Sequence, residues 1–228
     1  MNNIKIDCVL DAKANLGEGA IWSVKDQILY WVDINRGLLC KYNPENGKNI
    51  AIDFKKPLGC FALKSNLNVI LALTDGFFEF DQNQKTKTLI DSTESNILEN
   101  RFNDGTVDIK GRFYAGTMAI NGSNIGENAK GSLYCLEPSG KVNKTMDGFY
   151  TINGLAFSPD YKTAYVSDSA YWIQTIWAYD YDLDNGIWSN KRTFFDTKNV
   201  AGRPDGGCID AEGCYWMAGV SGWELLRI

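Results

Sequence analysis

The side chains best suited to chemistry in this chain come as a series. Carboxylates or amides directly precede glycine in Glu18-Gly19, Asp104-Gly105, Asn153-Gly154 and Asp205-Gly206, and each pair opens the same kind of strand pattern. A fifth pair, Leu58-Gly59, opens that pattern with an apolar residue. Equivalent positions of a repeat occupy equivalent places around an axis, so oxygen-bearing side chains there can converge on one point. A hard cation such as calcium or magnesium is held in this way, by carboxylates and amide carbonyls from several segments. Asn and Asp also favour turns before strands, which accounts for any one pair taken alone. Glu has no such preference, and for Glu18, Asn153 and Asp205 together a metal site is the stronger reading.

The rest of the composition narrows the chemistry. The 228 residues contain no histidine, which removes Ser-His-Asp and Cys-His nucleophiles, His-ligated zinc and His general bases. A hydrolase built from this chain must work with carboxylates, amides, arginine, hydroxyls and an oxygen-ligated metal. The six cysteines (Cys8, Cys40, Cys60, Cys135, Cys208, Cys214) include no C-x-x-C pair and read as scattered free thiols. Cys208 and Cys214 flank a turn and could face each other, but a disulfide is not expected in a cytoplasmic protein. A net charge of -5 without a basic stripe argues against nucleic acid or an anionic membrane as partner. No apolar run reaches the roughly 20 residues of a membrane span. Met1 to Gly19 lacks the basic-then-apolar order of a secretory signal, so the expected location is the cytoplasm.

The elements that must position these residues are short strands. After Gly19 come Ile28–Asp33 and Gly37–Tyr42; after Gly59, Val69–Leu73 and Phe77–Phe80; after Gly105, Phe113–Met118 and Gly131–Leu136. After Gly154 come Ala164–Asp168 and Thr175–Tyr179; after Gly206, Cys214–Ala218 and Trp223–Ile228. All are rich in β-branched and aromatic residues and separated by turn residues. The opening glycines lie at 19, 59, 105, 154 and 206, and a period of about 40–50 residues with several strands each marks a β-propeller. The polar stretch Asn121 to Lys130 reads as a loop inside the third copy. With no Pro/Ser-rich linker, one all-β domain over residues 1–228 is expected. In a propeller the first strand of each blade lines the central channel, which puts the residue before each repeat glycine at the channel mouth.

Four stretches of this sequence resemble the regucalcin (senescence marker protein)/gluconolactonase/luciferin-regenerating-enzyme-like family. Leu16-Gly17-Glu18-Gly19-Ala20-Ile21-Trp22 with Leu29–Ile34 is similar to its opening, and Arg101-Phe102-Asn103-Asp104-Gly105 with Gly111–Met118 to its central motif. Asn153–Asp160 with Tyr165–Ser169 resembles the next, and Arg203-Pro204-Asp205-Gly206 with Asp210–Ala218 the last. The resemblance implies a six-bladed propeller holding one divalent cation through Glu18, Asn153 and Asp205. Calcium is the first expectation, with zinc, magnesium, manganese or iron as alternatives. It further implies that Asn103 contacts substrate and that Arg101 holds the sugar's oxygens. The implied activity is metal-dependent hydrolysis of sugar lactones, with Asp205 activating water in the absence of any histidine. The alternatives are an organophosphate-ester hydrolase using the same site and a non-catalytic calcium-binding or regulatory propeller.

Two departures from the family pattern stand out. Ile120-Asn121-Gly122 occupies a place where many relatives carry an acidic residue reaching the sugar, which leaves the substrate open. The chain also shows five repeat openings where the family has six, so a ring truncated by about one blade is expected, with self-association through unpaired blade edges. Other polar residues carry blander expectations. Asp33, Asp168 and Asp210 read as turn or blade-packing residues, Asp104 as structural, and Ser169 as no nucleophile for want of a histidine. Trp22 and Trp31 read as core, and Tyr171 and Trp172 as loop residues able to reach a ligand.

Overall fold

The computed structural model describes residues 5–124 and 126–228; Met1 to Ile4, at the head of the stretch read for a secretory signal, and Ile125, inside the Asn121 to Lys130 loop, lie outside the described residues. Among the described residues every regular element but one short 3-10 turn is a strand, and no helix is long and apolar enough to cross a membrane. The fold is an all-β propeller, built from five successive antiparallel meander sheets. The chain divides into two compact units at Leu58/Gly59, described in turn.

The first unit carries one sheet, β1 (Gly17–Ser23), β2 (Ile28–Asp33), β3 (Leu38–Asn43) and β4 (Lys48–Asp53), in that spatial order. Tyr30, Val32, Leu39, Cys40 and Tyr42 on its inner strands are buried. Asp33, at the end of β2, accepts hydrogen bonds from the backbone N–H groups of Asn15 (2.8 Å) and Leu16 (3.1 Å), fixing the chain as it enters β1. Trp31 is half-buried, but Trp22 is 44% exposed, so the core expectation for Trp22 does not hold in this structure.

The second unit begins with β5 (Leu58–Leu63), β6 (Val69–Leu73), β7 (Gly76–Asp81) and β8 (Thr86–Asp91). The third sheet has β9 (Asn100–Val107), β10 (Phe113–Ala119), β11 (Gly131–Leu136) and β12 (Val142–Phe149). The fourth has β13 (Ile152–Phe157), β14 (Thr163–Asp168), β15 (Thr175–Asp182) and β16 (Ile187–Asp196). The fifth has β17 (Arg203–Ile209), β18 (Tyr215–Val220) and β19 (Glu224–Arg227). The outermost strands β4, β8, β12 and β16 lie beyond the three-strand pattern legible in each copy. They are largely exposed, so the apolar alternation that betrays a half-buried strand is weak in them.

Apolar side chains fill the space between neighbouring sheets. Cys60, Ile70, Phe77, Phe102, Phe113 and Tyr134 join the second sheet to the third. Tyr114, Leu133, Ile152, Leu155, Val166 and Tyr179 join the third to the fourth, and Tyr165, Ile176, Tyr215 and Met217 the fourth to the fifth. This packing explains part of the glycine rhythm. A Cβ on Gly59 would collide with the backbone of Phe102, and one on Gly105 would stand 2.7 Å from the Cys60 sulfur. First strands of neighbouring sheets approach too closely there for any side chain. Asp168 repeats the device of Asp33: 1% exposed, it accepts from the N–H groups of Tyr150 (2.7 Å), Thr151 (3.1 Å) and Ala170 (3.0 Å).

Candidate metal centre

First strands in four sheets break register in the same way. Pairing passes from Glu18↔Val32 to Ile21↔Tyr30, from Phe102↔Thr117 to Gly105↔Ala115, from Asn153↔Ser167 to Ala156↔Tyr165, and from Pro204↔Gly219 to Gly207↔Met217. Each step inserts one extra residue into the first strand, a β-bulge that bends the strand and re-aims its side chains. Glu18, Asn103, Asp104, Asn153 and Asp205 all lie in or at the edge of these bulges. Gly19 and Gly154 adopt the same left-handed conformation, with φ of +61° and +60°. Two causes therefore account for four of the five opening glycines, positive φ at a bulge for Gly19 and Gly154 and close approach between sheets for Gly59 and Gly105, while Gly206 shows neither.

Within the second unit the bulges of β9, β13 and β17 are tied together by side chains. Arg101, 9% exposed, donates from Nη1 to the Asn103 Oδ1 (2.6 Å) and the Phe102 carbonyl (3.0 Å). A guanidinium can only donate, so it fixes the Asn103 amide with its oxygen toward Arg101. Asn103 Nδ2 then donates to the Asn153 Oδ1 (2.8 Å) and the Ile152 carbonyl (2.9 Å). Asn153 Nδ2 donates to the Ser169 hydroxyl (2.7 Å), which in turn donates to the Pro204 carbonyl beside Asp205. Arg203 donates to the Ser169 carbonyl (2.7 Å) and lies over the Tyr171 ring at 3.9 Å.

The backbone between these side chains is held as firmly. Tyr215, fully buried, donates its hydroxyl to the Gly154 carbonyl (2.6 Å), and Asp104 accepts from the N–H groups of Gly105 (2.8 Å) and Leu155 (3.3 Å). Asp104 thus bridges β9 and β13, in keeping with the structural role expected of it. A Cβ on Gly154 would run into the Tyr215 hydroxyl and lie 3.1 Å from the Asp205 carbonyl. Gly154→Ala should therefore cost about 2–4 kcal/mol, from the left-handed backbone and from overpacking, read as a lower urea midpoint at unchanged slope.

The electrostatics suit a cation. Burial holds the Asp104 carboxyl up at about 6, and the nearby Asp205 adds to the shift against its backbone hydrogen bonds. Burial also raises Asp205, offset in part by the charge of Arg203 and the Gly206 N–H. Among the described residues no side chain donates a hydrogen bond to Asp205. The half-buried Asp205 carboxylate, costly to keep charged, beside the Asn153 amide oxygen of fixed orientation, offers oxygen donors that fit a hard divalent ion, with Asp104 adding negative charge nearby. Glu18 stands half-buried on β1 of the first unit, opposite Val32.

The expected residues Arg101, Asn103, Asn153 and Asp205 thus belong to one connected set in the second unit. Ser169, Tyr215 and Arg203 complete that set without having been singled out for it. In sequence Ser169 offers no more than a hydroxyl without a histidine partner, whereas in the structure it works as a hydrogen-bond connector. Trp172 packs edge-on against Tyr150, with ring centroids 5.0 Å apart, and Tyr171 is exposed beneath Arg203. A second acidic group, Asp210, Glu212 and Cys214, brings ligand atoms within 4.8 Å of one another. Arg227 pairs with both of its carboxylates, and Asp210 already accepts from Trp216, Arg227 and the backbone, as its turn role requires. All six cysteines are free, Cys208 and Cys214 included.

Comparison with known proteins identifies the family and the fold. The SMP-30/Gluconolactonase/LRE-like region model matches residues 16–228. Regucalcin of Xenopus laevis is 36% identical over 229 residues, covering 100% of this chain and 76% of its own length. The 6-deoxy-6-sulfogluconolactonase of Pseudomonas putida is 34% identical, covering 99% of this chain and 76% of its own length. Among solved structures, a calcium-binding protein, regucalcin, from Agrobacterium tumefaciens superposes with a TM-score of 0.83 at 26% identity, covering 94% of this chain and 74% of that one. The chain belongs to the SMP-30/Gluconolactonase/LRE-like family.

Proposed function

We propose that this chain is a metal-dependent sugar lactonase whose centre is built on Asn153 and Asp205. The observation that carries the reading is an Asp205 carboxylate that accepts no side-chain hydrogen bond among the described residues, together with an Asn153 amide oxygen fixed by its neighbours. The lactonase among the relatives supports the reaction class, and the calcium-binding relative supports calcium as the first ion to test. Glu18, expected as a ligand from its sequence motif, belongs to the first unit, and the proposal rests on the residues of the second.

A bound divalent ion supplies Lewis-acid polarisation of the lactone carbonyl. The protein's own residues do the rest. Asp205 takes the proton of the attacking water on a carboxylate oxygen. No histidine is present to take that proton instead. The acyl C–O bond of the ring then breaks, and the departing alkoxide recovers a proton to give the open hydroxy acid. Arg101 and Asn103 bind the sugar's oxygens, with Arg101 also keeping Asn103 in one orientation.

Metal removal tests the reaction class. Treated with EDTA, the protein should lose hydrolysis of aldonolactones and regain it with added calcium, manganese, magnesium or zinc, read as acid release at constant pH. Phosphotriester turnover exceeding that of every lactone would instead indicate an ester hydrolase of phosphorus. Calcium binding without turnover of either class would favour a binding protein, a reading supported by the calcium-binding relative.

A further inference from the structure

Ser169 has no role in the chemistry just described, yet it is the side chain through which the two ligand-bearing strands of the second unit meet. It follows the end of β14, is 2% exposed, and its hydroxyl has one proton to give. That proton goes to the Pro204 carbonyl, immediately before Asp205 on β17. The lone pairs that remain accept from Asn153 Nδ2 at 2.7 Å, on β13. We propose that Ser169 is a positioning residue for the metal centre, orienting the Asn153 amide and tying its strand to the segment that carries Asp205. The inference rests on the lactonase reading above.

The polarity of the hydrogen-bond chain gives the physical reason. From Arg101 through Asn103, Asn153 and Ser169 to Pro204, each group donates to the next. Asn103 supplies a donor on the oxygen side of the Asn153 amide, and Ser169 supplies an acceptor on its nitrogen side. A flipped Asn153 would set two NH2 groups against each other at Asn103, and Ser169 would have to release Pro204 to satisfy the oxygen. The amide oxygen is therefore held in place with a second lone pair free of Asn103. Outer hydrogen bonds of this kind typically change metal affinity 10- to 100-fold when removed. Ser167, two residues earlier on β14, provides an internal control. It is equally buried, pairs across the sheet with Asn153, and its hydroxyl has no hydrogen-bond partner among the described residues.

Calcium titrated calorimetrically into EDTA-stripped, dialysed protein, with manganese as a second probe, tests this. Ser169→Ala should weaken binding by about 10- to 100-fold, Ser169→Thr should restore most of it, and Ser167→Ala should leave it at the wild-type value. If Ser169→Ala does not fold, Ser169→Cys carries the test: its thiol is a weak acceptor of near-native size and should also weaken binding. Wild-type affinity in the folded Ser169 variants, or an equal loss in Ser167→Ala, overturns the positioning role alone. Failure of the wild-type chain to bind either ion overturns the lactonase reading and this inference with it.

Discussion

Asp205→Ala lowers the rate of lactone opening by about 10³-fold or more while the protein remains folded. Two losses combine in that result. An anionic ligand of the centre disappears, and so does the group that takes the proton from water, with no histidine in the chain to replace it. The fold should not suffer, because burial makes this carboxylate costly to keep charged and its neighbour Asp104 is raised partly on its account. In metal-free protein the urea midpoint of the variant should match or exceed that of wild type. Asp205→Asn separates the two roles: it keeps one oxygen donor but cannot accept the proton, so it should retain more calcium affinity than Asp205→Ala at a similarly low rate. A lactone rate within tenfold of wild type in Asp205→Ala would remove Asp205 from the reaction.

The largest stability effect is expected far from the centre, at Arg112. Its guanidinium pairs with Asp108 (2.9 Å), reaches Glu137 (3.2 Å), and donates to the carbonyls of Leu183 and Asp184 (both 2.8 Å) in the turn between β15 and β16. Asp108 has no exposed side-chain surface and also accepts from the Arg112 N–H (2.9 Å) and the Tyr181 hydroxyl (2.6 Å). Tyr114 extends the network through its hydroxyl contact with Tyr181 at 3.1 Å. Arg112→Ala leaves a buried carboxylate without its cation and two carbonyls without donors. Breaking such a pair from one side costs about 3–5 kcal/mol, read from the urea midpoint. Adding Asp108→Asn to that variant should recover part of the loss, because the stranded charge is then gone. A loss under about 1 kcal/mol for Arg112→Ala would mean that the network contributes as little as an exposed ion pair.

These two sites differ in how far the sequence reveals them. The five sheets are legible because their inner strands are buried between neighbours and carry β-branched and aromatic runs, as in Val69–Leu73, where every residue is buried. The outer strands escape because solvent covers one or both of their faces and lets polar residues in. Asn153 and Asp205 are legible because each stands in or at the edge of a bulge directly before a glycine, as Glu18 does, although only Gly19 and Gly154 need glycine for a left-handed backbone. The connections among them are not. Asn103 and Asn153 are 50 residues apart and Arg112 and Asp184 are 72 apart. Ser169 and Tyr215 sit in ordinary strand-end and core positions, and only the packing of sheet against sheet shows which carbonyls their hydroxyls meet.

The decisive property of this centre is whether a cation held there opens lactones. The direct measurement is the rate of aldonolactone opening, followed by acid release at constant pH, while calcium is added to EDTA-stripped, dialysed protein. The rate should climb from the uncatalysed background and level off once about one ion per chain is bound, with Asp205→Ala flat throughout. Full turnover in excess EDTA, or a rate indifferent to every divalent ion added, would contradict it.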